Sequence, residues 1–467
     1  MRNMGLGRRR RAARPARPSG RPHPLPWGSV AVALLALVAL PTFVDIWLTR
    51  LFPSYLEGLH VVVTAVYALT SALLVWEALA AWRCPAPAAD APPLPPCTAI
   101  VAAYLPNEQE IIRATLTHLL TRVDVPAGQF QVILAYNTPE PLAVEEDIRA
   151  LAARDPRLLP LRVEGSRSKA ENINAALGAA TGDIVAVYDA DHLPAADCFR
   201  RAWASLARGA DMVQGRCRIK NHGQNALTRT VALEFDTIYT VAHTGRARLS
   251  GTAIFGGSNG YWRRETLARL GMNPAMLTED IDVSVRALLD GCTLVHDRDI
   301  VSDELAPLRL RDWLLQRKRW AQGWLEVSLK YTVPILRSPQ FSAGQKLLWF
   351  YLLAWREIYP ALSMQFFPLV LTSWLTRTPI HWFGTPFFFW AGLLNLTCGP
   401  FLLLATYACA PTHTRRGLGA WYWIYGTFTL VYTTLKLAVT LIAQVAHLLK
   451  DRAWVTTPRL TGKTPGD

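Results

Sequence analysis

Asp189 and Asp191 stand two residues apart at the end of an apolar run, 184–188, and His192 follows them. Two carboxylates so placed can hold a divalent cation, Mg2+ or Mn2+, and through it a diphosphate, because hard oxygen ligands suit these ions. A solvated acidic turn is the plain alternative. His192 reads as a hydrogen-bonding neighbour of the pair more readily than as a metal ligand. Further along, Gln316, Arg319 and Trp320 are spaced i, i+3, i+4 and so share one helix face. A carboxamide, a guanidinium and an indole pointing one way offer a hydrogen-bonding edge, a phosphate clamp and a flat apolar ring. Such a set suits a sugar diphosphate meeting a sugar chain.

Three more stretches could contribute. The run 168–174, SKAENIN, opens a helix, so that backbone N–H groups and Lys169 converge on one spot that suits an anion. The run 255–260, FGGSNG, with Ser258 inside it, supplies small residues where backbone must approach something bulky. At 277–282, LTEDID, Glu279 and Asp280 begin a helix, with Thr278 expected to cap it. Direct displacement of a leaving nucleotide needs one base on the acceptor hydroxyl and no second carboxylate nucleophile. Asp280 is the candidate for that base.

The elements that must position these residues follow from hydrophobic periodicity. Short apolar runs at 98–104, 131–136, 158–163 and 183–188 alternate with helical patterns at 108–122, 143–154 and 170–180. Continuous apolar strands alternating with helices imply a mostly parallel sheet covered on both faces. In such sheets ligands bind beyond the carboxyl ends of the strands, and there Asp189 falls.

The chain has 467 residues, of which 51% are hydrophobic. That apolar content lies at the two ends. Runs at 27–48 and 59–82 have about the 20-residue length that crosses a bilayer, and further apolar blocks cover 347–375, 387–409 and 420–449. Segment 98–337 holds none and reads as one soluble domain, joined to the second run by a proline-rich linker at 83–97. Arg356, Glu357 and Lys436 interrupt the later blocks, which fits four to six spans with one segment partly along the interface. The net charge of +14 owes much to eight arginines in the first 21 residues. A basic, proline-rich tail of residues 1–26 before an apolar run is disordered and stays in the cytosol by the positive-inside rule, which argues against a nucleic-acid partner. Two crossings then return 98–337 to the cytosol, and the basic residues of 450–467 favour a cytosolic end. The seven cysteines show neither zinc spacing nor a disulfide framework.

Taken in order, Lys169-Ala-x-Asn, Asp189-Ala-Asp191, Thr278-Glu-Asp280 and Gln316-x-x-Arg-Trp320 resemble the signature of the family 2 membrane glycosyltransferases, the cellulose, chitin and hyaluronan synthases and their kin. The resemblance implies a GT-A fold, α/β and Rossmann-like, flanked by transmembrane helices. It also implies a UDP-sugar donor, inversion to a β-linked product and a growing glycan as acceptor. By the same resemblance Lys169 and Asp189 contact the nucleotide, Asp191 binds metal and Asp280 is the base. Gln316, Arg319 and Trp320 meet the diphosphate and the acceptor on a helix lying against the membrane, with His192, Ser258, Thr278 and Glu279 in support. One departure stands out: where the family carries an acidic pair after its second strand, this chain has Asn137, which could hydrogen-bond a base edge but bears no charge. The expectation is an elongating enzyme of the cell membrane with its catalytic domain in the cytosol. A single transfer to a lipid acceptor is the rival, and a transporter or scaffold that only binds nucleotide sugar is a third reading.

Overall fold

The computed structural model describes residues 27–82, 92–381, 384–410 and 417–449, so the basic tail, part of the proline-rich linker and the carboxyl-terminal tail lie outside it. Helices α1 (Trp27–Leu51) and α2 (Tyr55–Trp82) lead in. They are followed by β1 (Cys97–Tyr104), α3 (Leu105–Glu108), α4 (Ile112–Arg122), β2 (Phe130–Asn137), α5 (Val144–Arg154), β3 (Leu158–Arg162), α6 (Lys169–Ala179) and β4 (Ile184–Asp189). The second half of the domain comprises β5 (Leu193–Pro194), α7 (Cys198–Leu206), β6 (Met212–Ile219), α8 (Ala226–Asp236), α9 (Thr244–Ser250), β7 (Gly260–Arg263), α10 (Arg264–Leu270), α11 (Glu279–Leu289) and β8 (Leu294–Glu304). The long α12 (Leu310–Arg337) leaves the domain for α13 (Ala343–Phe350), α14 (Arg356–Ser363), α15 (Phe366–Thr376), α16 (Pro386–Cys409) and α17 (Trp421–Leu448). Helical stretches of wider π pitch, Thr237–His243 and Tyr351–Trp355, join α8 to α9 and α13 to α14.

The eight strands form one sheet in the order β3-β2-β1-β4-β7-β6-β8-β5. Its first half is parallel throughout, and β6 and β8 are parallel as well; the short β7 runs antiparallel to β4 and β6, and β5 antiparallel to β8. Alternation along each strand assigns its two faces. Ile100, Ile133, Val185 and Val187 pack with Ile173 of α6, Val285 of α11 and Val327 of α12. Val101, Leu134, Ile184 and Ala186 pack with Leu116 of α4 and Phe199 of α7. With both faces covered, the parallel strands carry no polar alternation, and β4 is buried up to Tyr188.

Among the described residues, four helical stretches are long and apolar enough to cross a membrane: α2, the broken run Ala343–Thr376, α16 and α17. Trp313 and Leu314 of α12 share an apolar cluster with Val231 and Leu233 of α8 and with Tyr422 and Val439 of α17, so α12 is clamped between the domain and α17. The charges that interrupt the apolar blocks have partners. Lys436 donates to Glu234 of α8 at 2.6 Å, and Arg356 pairs with Glu357 at 2.6 Å while its guanidinium lies 4.6 Å from the Trp324 ring centre.

Candidate active site

At the carboxyl ends of β1, β2 and β4 opens a cavity of about 820 Å3. Lys169, Asp189, His192, Ser258, Glu279 and Asp280 line it, as do Gln316, Arg319 and Trp320. Thr278 and Asn137 also border it. Eleven of the twelve residues singled out from the sequence thus face one space, and Asp191, 1% exposed, sits beside it with Oδ2 accepting from Leu305 N at 3.0 Å.

Lys169 is placed by the start of α6, where the Ser168 side chain accepts from Glu171 N at 3.2 Å and caps the helix. From there Nζ reaches Asp189 Oδ1 at 2.5 Å, the Gly257 carbonyl at 2.6 Å and Glu279 Oε1 at 4.0 Å. Burial alone lowers the Lys169 pKa, but the carboxylates of Asp189, Glu279 and Asp280 together outweigh it and raise it, so the ammonium is firmly charged. Gly257 holds φ +88°, and a Cβ there would stand 2.7 Å from Asp280 Oδ2. Only glycine lets this loop touch both the lysine and the carboxylate. Ser258 Oγ accepts from Asp189 N at 3.1 Å and fixes the end of β4.

Asp280 lies in the first turn of α11, and its Oδ1 accepts from Ile281 N at 2.8 Å. Burial first, and the charge of Glu279 second, push its pKa up to about 7 against the opposing pull of Lys169. A carboxylate tuned to that value is matched to proton abstraction near neutrality. The capping by Thr278 expected from the sequence is not made. Its Oγ1 has no hydrogen-bond partner among the described residues, and its methyl instead fills the notch at Gly323 of α12, where a Cβ would stand 2.4 Å from Thr278 Cγ2. The requirement for close α11–α12 packing overrides the local cap.

Asn137 borders the cavity with two partners of its own. Its carboxamide accepts from Asn172 at 2.9 Å and donates to the Ser166 carbonyl at 3.1 Å, a local network that orders the mouth of the cavity. Trp320 keeps one ring face for a ligand at most, since the guanidinium of Arg317 lies 4.3 Å from its ring centre. Arg317 is held in turn by Glu234 at 2.6 Å, and Glu234 also accepts from Tyr432 and Lys436 of α17 at 2.6 Å each. Burial works against the charge on Glu234, but Arg317 and Lys436 prevail and hold its pKa at about 2. Sequence reasoning passed over this cluster, as it did Glu304 and Cys217. Oε1 of Gln316, a residue 7% exposed, has no hydrogen-bond partner among the described residues.

Ligand atoms of Asp189, Asp191 and His192 all lie within 4.8 Å of one another, so these side chains fit a divalent cation without rearrangement of the backbone. A lysine-steadied acidic pair, a tuned carboxylate and an aromatic shelf meet in one cleft of a GT-A domain, a set of groups suited to a glycosyltransferase. The description "Glycosyl transferase family group 2" matches residues 184–432, more than half of the chain, and the chain belongs to that family. Among curated relatives, glucomannan 4-beta-mannosyltransferase 1 of Oryza sativa subsp. japonica is 27% identical over 168 residues, 35% of this chain and 32% of the relative. Glucomannan 4-beta-mannosyltransferase 2 of Arabidopsis thaliana is 25% identical over 197 residues, 42% of this chain and 35% of the relative. The chain thus spans about a third of the length of these relatives. Among solved structures, the mannosyltransferase PcManGT from Pyrobaculum calidifontis, in complex with GDP-Man and Mn2+, aligns with a TM-score of 0.55 at 21% identity, covering 85% of this chain and all of that one, and shares the fold.

Proposed function

We propose that this glycosyltransferase elongates a β-linked polysaccharide by direct, inverting displacement from a nucleotide sugar, working at the cytosolic face of the cell membrane. The observation that carries the proposal is that one cavity is lined by Asp280, by Trp320 and by polar and aromatic side chains of the candidate membrane helices. Besides Gln316 and Trp320, its wall includes Tyr351, Trp355, Thr433 and Thr440. Thr433, Leu437 and Thr440 recur on one face of α17, the face that meets the cavity. A single transfer to a lipid headgroup has no use for so long a wall behind the acceptor.

The roles follow from position. Asp280 takes the proton of the acceptor hydroxyl as its oxygen bonds to the anomeric carbon and the carbon–oxygen bond to the diphosphate breaks. Arg319 offers a guanidinium to the departing diphosphate. Lys169 holds Asp189 in place and reaches toward Glu279 beside the base. A divalent cation bound by Asp189, Asp191 and His192 would supply electrostatic neutralisation of the leaving group. Trp320 gives the acceptor sugar an apolar platform, and Gln316 Oε1 is an acceptor in need of a hydroxyl.

The donor we favour carries a hexose, with mannose first because the curated relatives named above are β-mannosyltransferases. Incubating purified protein with labelled UDP- and GDP-sugars, with Mg2+ or Mn2+, and sizing the products tests the whole reading. Ladders of increasing length are expected from one donor. One sugar added per acceptor whatever the donor excess would overturn elongation and leave single transfer to lipid in its place.

A further inference from the structure

Strands β6 and β8 lie side by side in parallel, with Cys217 opposite Ser302 and Ile219 opposite Glu304. Period two along a strand sends Ser302 and Glu304 to the same side as Cys217, while Arg218 and Asp303 turn to the other side and pair there at 2.5 Å. Onto the first side comes His192, from the turn after β4. Its Nδ1 is fixed by Ser302 Oγ at 3.0 Å, and Nε2 lies 3.4 Å from Glu304 Oε2. The Cys217 sulfur completes the group, and ligand atoms of all three residues fall within 4.8 Å of one another. His192 and Cys217 are buried, Glu304 is half-buried, and all three border the cavity.

We propose that His192, Cys217 and Glu304 form a mixed nitrogen, sulfur and oxygen site for a thiophilic divalent cation of the zinc class. Imidazole, thiolate and carboxylate are the ligand set such ions prefer, and Mg2+ has little use for a thiolate. The Ser302 hydroxyl fixes the ring of His192 through its far nitrogen, as outer hydrogen-bond partners fix ligating histidines. Three protein ligands beside an open cavity leave a coordination position for solvent. Binding converts the Cys217 thiol to a metal-bound thiolate and releases its proton to solvent, so affinity rises with pH. His192 belongs both to this group and to the set around Asp189 and Asp191, so an ion of either kind that takes the imidazole withdraws it from the other. A consequence that rests on the transferase reading is inhibition of Mg2+-supported transfer by low concentrations of Zn2+.

The test uses the full-length protein in detergent without any sugar donor, titrated with Cd2+ or Co2+ and followed by thiolate-to-metal charge-transfer absorption. A saturable band is expected with one equivalent of metal, lost in C217S and weakened at least tenfold in affinity in E304Q. As a second readout, Zn2+ should protect Cys217 of the unmodified chain from alkylation, scored by mass spectrometry, which depends on no variant folding. An unchanged band in C217S, or alkylation of Cys217 at the same rate with and without Zn2+, would overturn the site. Failure of transfer itself under Mg2+ would instead strike the catalytic reading and leave these measurements standing.

Discussion

The two faces of α11 put the same side chain to opposite uses. Asp280, in the first turn, looks into the cavity, and burial together with Glu279 holds its pKa near 7. Asp282, two residues on, looks toward α12. It accepts from Lys330 at 2.9 Å, Tyr331 at 2.7 Å and Arg286 at 2.7 Å, and although burial works against its charge these three donors bring its pKa below the ordinary carboxylate value. Asp282 is fully buried and Asp280 only half-buried, yet it is Asp280 whose pKa is raised, so partners decide the contrast. One face keeps a base under-solvated and reactive, and the other uses its charge to lock α11 against α12.

The sharpest way to break this contrast is Asp280→Asn. Loss of a positioned general base costs roughly 10²- to 10⁴-fold in turnover. The same change should stabilise the fold above neutral pH, because the buried charge is gone. With a raised native pKa, wild-type stability is highest below the unfolded value and falls as pH rises toward about 7. The melting-temperature advantage of Asp280→Asn should therefore shrink on acidification and vanish near the ordinary carboxylate pKa. Ordinary turnover in this variant would remove Asp280 from the mechanism.

Asp282→Asn should do the reverse. Taking the charge from a buried hub of three donors costs on the order of 3 kcal/mol, read as a lower denaturant midpoint. Its depressed pKa adds stability above the unfolded value that is lost as pH falls through the native one. A gain in stability for this variant, as for Asp280→Asn, would mean that the two faces do not differ.

The pH profile of kcat/KM sharpens the comparison without any variant. Proton abstraction by Asp280 predicts an acid limb that climbs about tenfold per pH unit and levels off near 7. A limb centred near 4 would assign the base to a carboxylate in ordinary surroundings.

Trp320→Ala should raise the acceptor KM roughly two- to tenfold, in line with the roughly 0.5–1.5 kcal/mol an aromatic contact is worth. Cleavage of the donor by water should be little changed. Equal loss of both reactions would show that Trp320 mainly supports Arg317 and Glu234.

What the sequence disclosed and what it hid divide along a physical line. Asp189 and Asp191 were legible because β4 is a continuous apolar run whose end is sharp, and Gln316, Arg319 and Trp320 because helical spacing is local. The parallel half of the sheet was legible for the same reason. Beyond residue 192 the strands were not: β5 has two residues, β7 has four, β6 breaks its apolar run with Gln214, Gly215, Arg216 and Arg218, and β8 is mostly polar. Cys217 and Glu304 meet His192 through strand register, and Glu234 meets Lys436 across 202 positions of chain. No local pattern encodes such encounters. Thr278 was misread for the converse reason, since the cap pattern is local and the packing against Gly323 that displaces it is not.

That displacement yields the smallest expected effect. An ordinary threonine cap contributes about 1 kcal/mol, and its removal is felt at once. Here Oγ1 has no hydrogen-bond partner among the described residues while the methyl fills the Gly323 notch, so Thr278→Val keeps the packing and discards only the hydroxyl. Replacing a buried hydroxyl that makes no bond with a methyl is neutral or slightly stabilising. The chemical denaturation midpoint of Thr278→Val should match wild type within about 0.5 kcal/mol. A loss near 1 kcal/mol would instead show that the hydroxyl caps α11 in solution, which would bring the cap close to the first turn that carries Asp280.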